Sequence, residues 1–226
     1  MEKISIKQLL EFKNKSVKSR KTLLSNLEKP KSTVKGSGGN YWVRSISALS
    51  KSIKTNENRF ITQKIEEILE KQKQTDVHKT IVMYERNVNI LTSFENVDLS
   101  KFKPKEELNI ESILKANSII KEKGLPIQVI PNVLFTYKKG DANFVGGILL
   151  VAKIQKFTRT ELYLQCELLY RYLQRNYSLK YKIEDRFCLI IDMLETKSIN
   201  REEYDEAEIS KVLDEILEEI SQGLKN

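Results

Sequence analysis

The sequence predicts an α+β or α/β protein: a small mixed sheet, formed by a hairpin over 127–154 and a strand over 186–194, flanked by helices and preceded by a helical N-terminal region. Three observations carry this expectation. Residues 143–154 are apolar almost continuously, as in a strand covered on both faces. The turn cluster Lys138-Lys139-Gly140-Asp141 joins that run to a second apolar run over 127–137. Five longer segments between residues 41 and 222 repeat apolar residues at intervals of three and four, the period of a helix that buries one face.

Taken in order, residues 4–28 have helical composition without Gly or Pro, and Ile6, Leu9, Leu10, Val17, Leu24 and Leu27 fall roughly on one side. Their basic middle, 13–21, is expected to be exposed and open to interruption. Residues 30–39, rich in Gly, Ser and Lys, read as a loop. Trp42, Ile46, Leu49 and Ile53 mark a helix from about Tyr41. Ile61, Ile65, Ile68 and Leu69 mark another over 60–73, and Ile81, Tyr84, Val88, Leu91 and Phe94 a third over 78–95. A short helix is expected over 111–123, ended by Gly124 as its cap and by Pro126.

The strand over 127–137 would place Ile127, Val129, Val133, Phe135 and Tyr137 on one face and Ile130 and Leu134 on the other. Gly146 and Gly147 interrupt the start of the next strand, which suggests a bulge or a close backbone approach. The helix over 160–176 carries two apolar stripes and so needs two packing partners. A strand over 186–194 and an acidic amphipathic helix over 205–222 close the chain. Residues 1–105 form a basic helical region and 106–226 an α/β core, or both form one continuous domain.

At 226 residues, 40% hydrophobic and 31% charged, the composition is that of an ordinary globular protein. The longest apolar stretch, 148–152, is far too short to span a bilayer, and the N-terminus has no signal-peptide pattern, so a cytoplasmic protein with no membrane partner is expected. Cys166 and Cys188 sit in apolar runs and read as buried free thiols. One histidine, His78, and two such cysteines cannot build a zinc site or a His-assisted nucleophile; His78 reads as a polar surface residue. No GxGxxG opens a helix, and no dinucleotide or other cofactor is expected.

The charge is uneven. Residues 1–60 hold fourteen Lys or Arg against four Asp or Glu, whereas residues 195–226 hold four against ten. A clustered positive field attracts phosphates whatever the base sequence, which points to nucleic acid as partner; the plainer reading is a lysine-rich solvated surface. The expected phosphate contacts are Lys13, Lys15, Lys18, Arg20, Lys21, Lys35 and Arg44. The glycine-rich loop running into a helix start could also hold an anion, although it lacks the GxxxxGK[ST] arrangement. On the helix over 160–176, Tyr163, Tyr170, Tyr172 and Tyr177 interleave with Arg171 and Arg175. They suit either a stacking face for a single strand or tyrosines rimming a core.

Residues 111–194, in the order helix, strand, strand, helix, strand, with Pro131-Asn132 on the first strand and Val151-Ala152-Lys153 on the second, resemble the core of the restriction-endonuclease-like superfamily, the PD-(D/E)XK nucleases. That resemblance implies a Mg²⁺ site with one carboxylate at position 132 and one at 151, and a lysine at 153 that positions the attacking water. Here Asn132 and Val151 replace both carboxylates, and Gln165 is followed by Leu169, with Tyr170 one place beyond the Gln and Tyr pair that some members carry. Magnesium would bind only with displaced ligands, for which Asp141, Asp192 and Glu195 are the candidates; no metal site of the usual kind is expected. The sequence therefore favours a nucleic-acid-binding protein with a degenerate nuclease-like core. The alternatives are a subunit that uses its basic arm and acidic helix to dock a protein partner or a second copy, and a nuclease with Lys153, Asp141 and Asp192 in catalytic roles.

Overall fold

The computed structural model describes residues 3–28, 41–113 and 115–225. Strand β1 (Ile4–Ser5) leads into helices α1 (Ile6–Asn14) and α2 (Val17–Glu28), followed by α3 (Val43–Thr55), α4 (Arg59–Lys73) and α5 (His78–Phe94). Strands β2 (Leu108–Ile110), β3 (Ile119–Glu122), β4 (Leu125–Gln128), β5 (Val133–Lys139) and β6 (Ala142–Val151) come next. Helix α6 (Arg159–Tyr177), β7 (Lys182–Asp192), β8 (Lys197–Ile199) and α7 (Glu206–Gly223) complete the chain. The mixed α and β architecture and the helical N-terminal region expected from sequence are both present.

A five-stranded sheet has the order β2-β5-β6-β7-β8. β5 and β6 form the expected hairpin, and α6 crosses over to lay β7 parallel to β6, with Val151 opposite Asp192. Each sheet face has its own core. α3, α4 and α5 cover one face with Leu49, Ile53, Ile61, Ile68, Leu91 and Phe94. α6, α7, α1 and α2 cover the other, together with a small sheet of order β1-β4-β3. No helix among the described residues is long and apolar enough to cross a membrane. Cys166 and Cys188 are buried free thiols, each donating to the other's carbonyl across the contact of α6 with β7.

Two expectations need correction. The helix over 111–123 is absent among the described residues of that span, which carry a short 3-10 turn at Lys115–Ser118 and then the β3–β4 hairpin. Gly124 is the second residue of the hairpin turn, not a helix cap. Lys123 and Gly124 both have positive φ, 48° and 81°, the left-handed pair that a two-residue turn between twisted strands requires. The single strand over 127–137 is two strands in different sheets, broken at Ile130-Pro131-Asn132, so Ile127 and Val129 serve one core while Val133, Phe135 and Tyr137 serve the other. Residues 4–28 are interrupted in their basic middle, as expected, and form two helices, α1 opened by the Ser5 and Gln8 capping box.

The glycine pair in β6 does both things its sequence suggests. The β6–β7 register shifts between Val145 and Gly147, and a Cβ on Gly146 would stand 2.6 Å from the Phe135 ring and 2.9 Å from the Phe187 Cβ. Gly146→Ala is therefore expected to lose about 1–3 kcal/mol to overpacking, read as a lower urea midpoint at unchanged slope. Gly147→Ala meets only the end of Leu169, at 3.2 Å, and should lose less.

Candidate functional site at the end of the central strands

The C-terminal ends of the parallel strands β6 and β7, the start of α6 and the end of α1 meet at one place. Alternation along β6 and β7 turns Val151, Lys153 and Asp192 toward the α6 side, since Leu149 and Ile190 lie in that core and Leu150 and Ile191 in the other. The first turn of α6 is fixed by a capping box. Thr158 accepts from the Glu161 N–H at 3.1 Å, and Glu161 Oε2 accepts from the Thr158 N–H at 2.8 Å. That folds the Glu161 carboxylate back over the helix start, where its Oε1 accepts from Lys153 Nζ at 2.7 Å and from Asn14 Nδ2 at 2.8 Å.

The Glu161 side chain is only 3% exposed. Burial alone would push its pKa up, but the hydrogen bonds from Lys153 and the Thr158 N–H and the charge of Lys153 outweigh burial and hold it below the ordinary carboxylate range. One turn along α6, Gln165 is 4% exposed and its Nε2 has no hydrogen-bond partner among the described residues.

The positions that the nuclease resemblance singles out do structural work. Asn132 Oδ1 accepts from the Leu150 N–H at 2.7 Å, and its own N–H donates to the Ile148 carbonyl at 2.7 Å, extending the β5–β6 ladder past Pro131. The Asn132 carbonyl accepts from Ser50 Oγ at 2.8 Å, which ties the strand to α3. Val151 packs against the α6-side core. Asp192 is buried at the end of β7, where Oδ1 accepts from the N–H groups of Leu194 at 3.1 Å and Glu195 at 3.5 Å. Glu195 pairs with Lys156 at 3.1 Å.

These residues do not fit a magnesium site. Val151 offers no oxygen, the Asn132 oxygen is held by the ladder, and both Glu161 oxygens are committed to donors. Among the described residues, no three His, Cys, Asp or Glu side chains gather in a metal-holding group. Asp141 is placed wrongly for the role of displaced ligand. It sits exposed in the turn at the far end of the hairpin, and the ten residues of β6 put it about 30 Å from Val151.

Asp192 gives the site a pH signature. Its pKa is raised because burial, with the nearby Glu195 charge, outweighs the two N–H groups and Lys156. A folded pKa above the unfolded one means that the contribution to stability is fully present below the unfolded value, near 3.9, and is lost as pH rises through the folded value. Asp192→Asn keeps the Oδ1 acceptor, so it is expected to flatten the pH dependence of stability over that window and to be at least as stable at neutral pH. Urea titrations at acid and neutral pH check this; a steeper pH dependence in the variant would contradict it.

The expected phosphate contacts separate into two groups. Arg171 is 11% exposed and pairs with Asp214 at 2.6 Å, Glu167 at 3.1 Å and Glu122 at 3.2 Å, so it is an internal tie and not a surface contact. Arg20 is also spent: it donates to the Phe12 and Lys13 carbonyls at the end of α1 and pairs with Glu219 at 2.5 Å. Arg175 is exposed and donates to the Lys121 carbonyl. Of the two readings of the α6 tyrosines, the contacts fit a core rim, because Arg201 lies 3.5 Å from the Tyr170 ring centre and Tyr172 is buried.

Lys15, Lys18 and Lys21 are exposed and Lys13 half-buried, and none of the four forms an ion pair among the described residues. Arg44 is half-buried beside Tyr84. Lys35 and the glycine-rich loop lie outside the described residues. His78 is exposed at the start of α5.

Glu161 and Asn14 are absent from the expectations drawn from sequence. The Thr158-x-x-Glu161 spacing is a readable capping box that would have turned Glu161 toward Lys153, whereas nothing local announces that Asn14 lies beside a residue 147 positions later. Comparison with protein-family models, curated proteins and solved structures found no match to this chain.

Proposed function

We propose that this protein binds nucleic acid at the end of its sheet where α1, α6, β6 and β7 converge, on a nuclease-like core whose catalytic positions are degenerate. The observation that carries the reading is the Asn14 to Glu161 hydrogen bond of 2.8 Å. It brings the end of α1, with Lys13 and Lys15 flanking Asn14, beside the position held by Lys153, and Lys18 and Lys21 follow in the first turns of α2. The exposed Arg159 at the start of α6 adds a further cation there. Unpaired cations crowded on one rim repel one another unless a polyanion lies across them, and the phosphates of DNA or RNA supply that charge without any demand on base sequence.

Hairpin, crossover helix and parallel strand follow one another as the later elements of the nuclease resemblance do, with Lys153 after the second hairpin strand, whereas the helix expected before them is replaced among the described residues by the β3–β4 hairpin. The Asn132 and Val151 side chains support the degenerate reading, since one completes the sheet and the other fills the core. The test is equilibrium binding of a labelled DNA or RNA fragment across a range of salt. A log-log decline of affinity with salt is expected, with no cleavage of the fragment when magnesium is added. Absence of binding at the lowest salt would defeat the reading.

A further inference from the structure

Tyr41 and Trp42, immediately before α3, meet α5 in a cluster on the opposite face of the sheet from Lys153. Their rings pack edge to face with centroids 4.7 Å apart. Arg86 of α5 lies over the Tyr41 ring at 5.9 Å and donates from Nη1 to the Tyr41 hydroxyl at 3.3 Å. Arg44 of α3 lies over the Tyr84 ring at 4.8 Å and donates from Nη2 to the Tyr84 hydroxyl at 3.5 Å. The buried Asn87 fixes the frame, donating to the Tyr41 and Met83 carbonyls and accepting from Ser45.

Neither Arg44 nor Arg86 forms an ion pair among the described residues. Each guanidinium carries five N–H donors and spends one on a tyrosine hydroxyl, so each retains donors for an anion. Tyr41, Trp42, Arg44 and Arg86 are all half-exposed.

We propose that this cluster is a docking site for single-stranded nucleic acid, in which an unpaired base stacks on the Tyr41 ring beside Trp42 while Arg44 and Arg86 hold the flanking phosphates. The inference rests on the nucleic-acid reading above and adds the class of ligand and a second contact surface. The rings favour a single strand over a duplex, because a duplex keeps its base faces stacked inside. They favour it over an acidic peptide, which would satisfy the arginines and make no use of the flat face of Tyr41.

Trp42 is the one tryptophan of the chain, so tryptophan emission reports on this cluster alone. Oligothymidylate titrated at low salt is expected to quench that emission saturably, and a duplex of the same length to leave it unchanged. Arg86→Gln and Tyr41→Ala, verified as folded by circular dichroism, should each weaken oligothymidylate about tenfold. They should leave duplex binding, measured by anisotropy of a labelled strand, as in the wild type.

Oligothymidylate bound with wild-type affinity by both variants and without any emission change would overturn the cluster while leaving the nucleic-acid reading intact. Equal quenching by oligoglutamate would overturn the single-strand assignment. Failure of the wild type to bind either nucleic acid would overturn both.

Discussion

Glu167→Ala is expected to lower the stability of the fold by about 3–5 kcal/mol, the range for a buried ion pair that loses one partner. Glu167 sits mid-way along α6 with its side chain 4% exposed, and it holds two arginines. Oε1 accepts from Arg171 Nε at 3.1 Å, and Oε2 accepts from Arg201 Nε at 3.4 Å and from the Tyr204 hydroxyl at 3.5 Å. Arg171 continues to Glu122 and Asp214, and Arg201 to Asp185 at 2.9 Å and Glu206 at 2.6 Å. One carboxylate therefore links α6, α7, β3, β7 and the turn after β8.

Removing it leaves two guanidiniums, each about nine-tenths buried, without the central acceptor they share. Their remaining partners lie at the margins of the network, where water screens them more. Glu167→Gln keeps an acceptor and the packing volume and should lose less. The measurement is the urea midpoint at constant slope, together with a melting temperature lowered by about 10 °C for a chain of this size. A loss below about 1 kcal/mol for the alanine variant would mean that the arginines find other partners, and the network would then be incidental.

This network shows what sequence periodicity can and cannot disclose. Helices α3, α4, α5, α6 and α7 were legible because each buries a continuous stripe, and β6 because both its faces are covered. The β3–β4 hairpin was not legible. Its turn glycine carries the same signal as a helix cap, and the residue that decides between the two is Lys123, a side chain that does not advertise a positive φ. Pro126 argued further against a strand, yet β1 joins β4 only from Ile127, so the strand is still an edge at the proline.

The charge asymmetry was legible in amount, while the pairing of individual charges was not. α7 packs on α1 and α2, and its Glu219 meets Arg20 while Asp214 and Glu218 meet Lys123. One ion pair between the basic arm and the acidic tail, Arg20 with Glu219, is thus contact within the fold, and other α7 carboxylates are met by Lys123 of the β3–β4 turn. The same holds at the candidate site. Lys153 could be read from its place after an apolar strand, but its partner Glu161 could be found only through helix capping, and Asn14 only through tertiary packing.

What survives that internal neutralisation sets the second large effect. Reversing Lys15, Lys18 and Lys21 together to glutamate is expected to reduce affinity for a DNA or RNA duplex at low salt on the order of a hundredfold. It should also flatten the log-log salt dependence by about three phosphate contacts' worth, near 0.9 per contact for duplex DNA. All three lysines are exposed and outside every ion pair among the described residues, so the substitutions remove no internal contact and the fold should persist.

Arg20 supplies the control, because its charge is already met by Glu219 and by the end of α1. Arg20→Gln should cost stability and leave the salt slope nearly unchanged in the folded fraction. The two variants separate a positive rim that meets phosphates from a positive composition that only balances α7. If the triple reversal leaves both affinity and slope at their wild-type values, the lysines are ordinary solvated surface, and the contact with nucleic acid must lie elsewhere on the molecule or not exist.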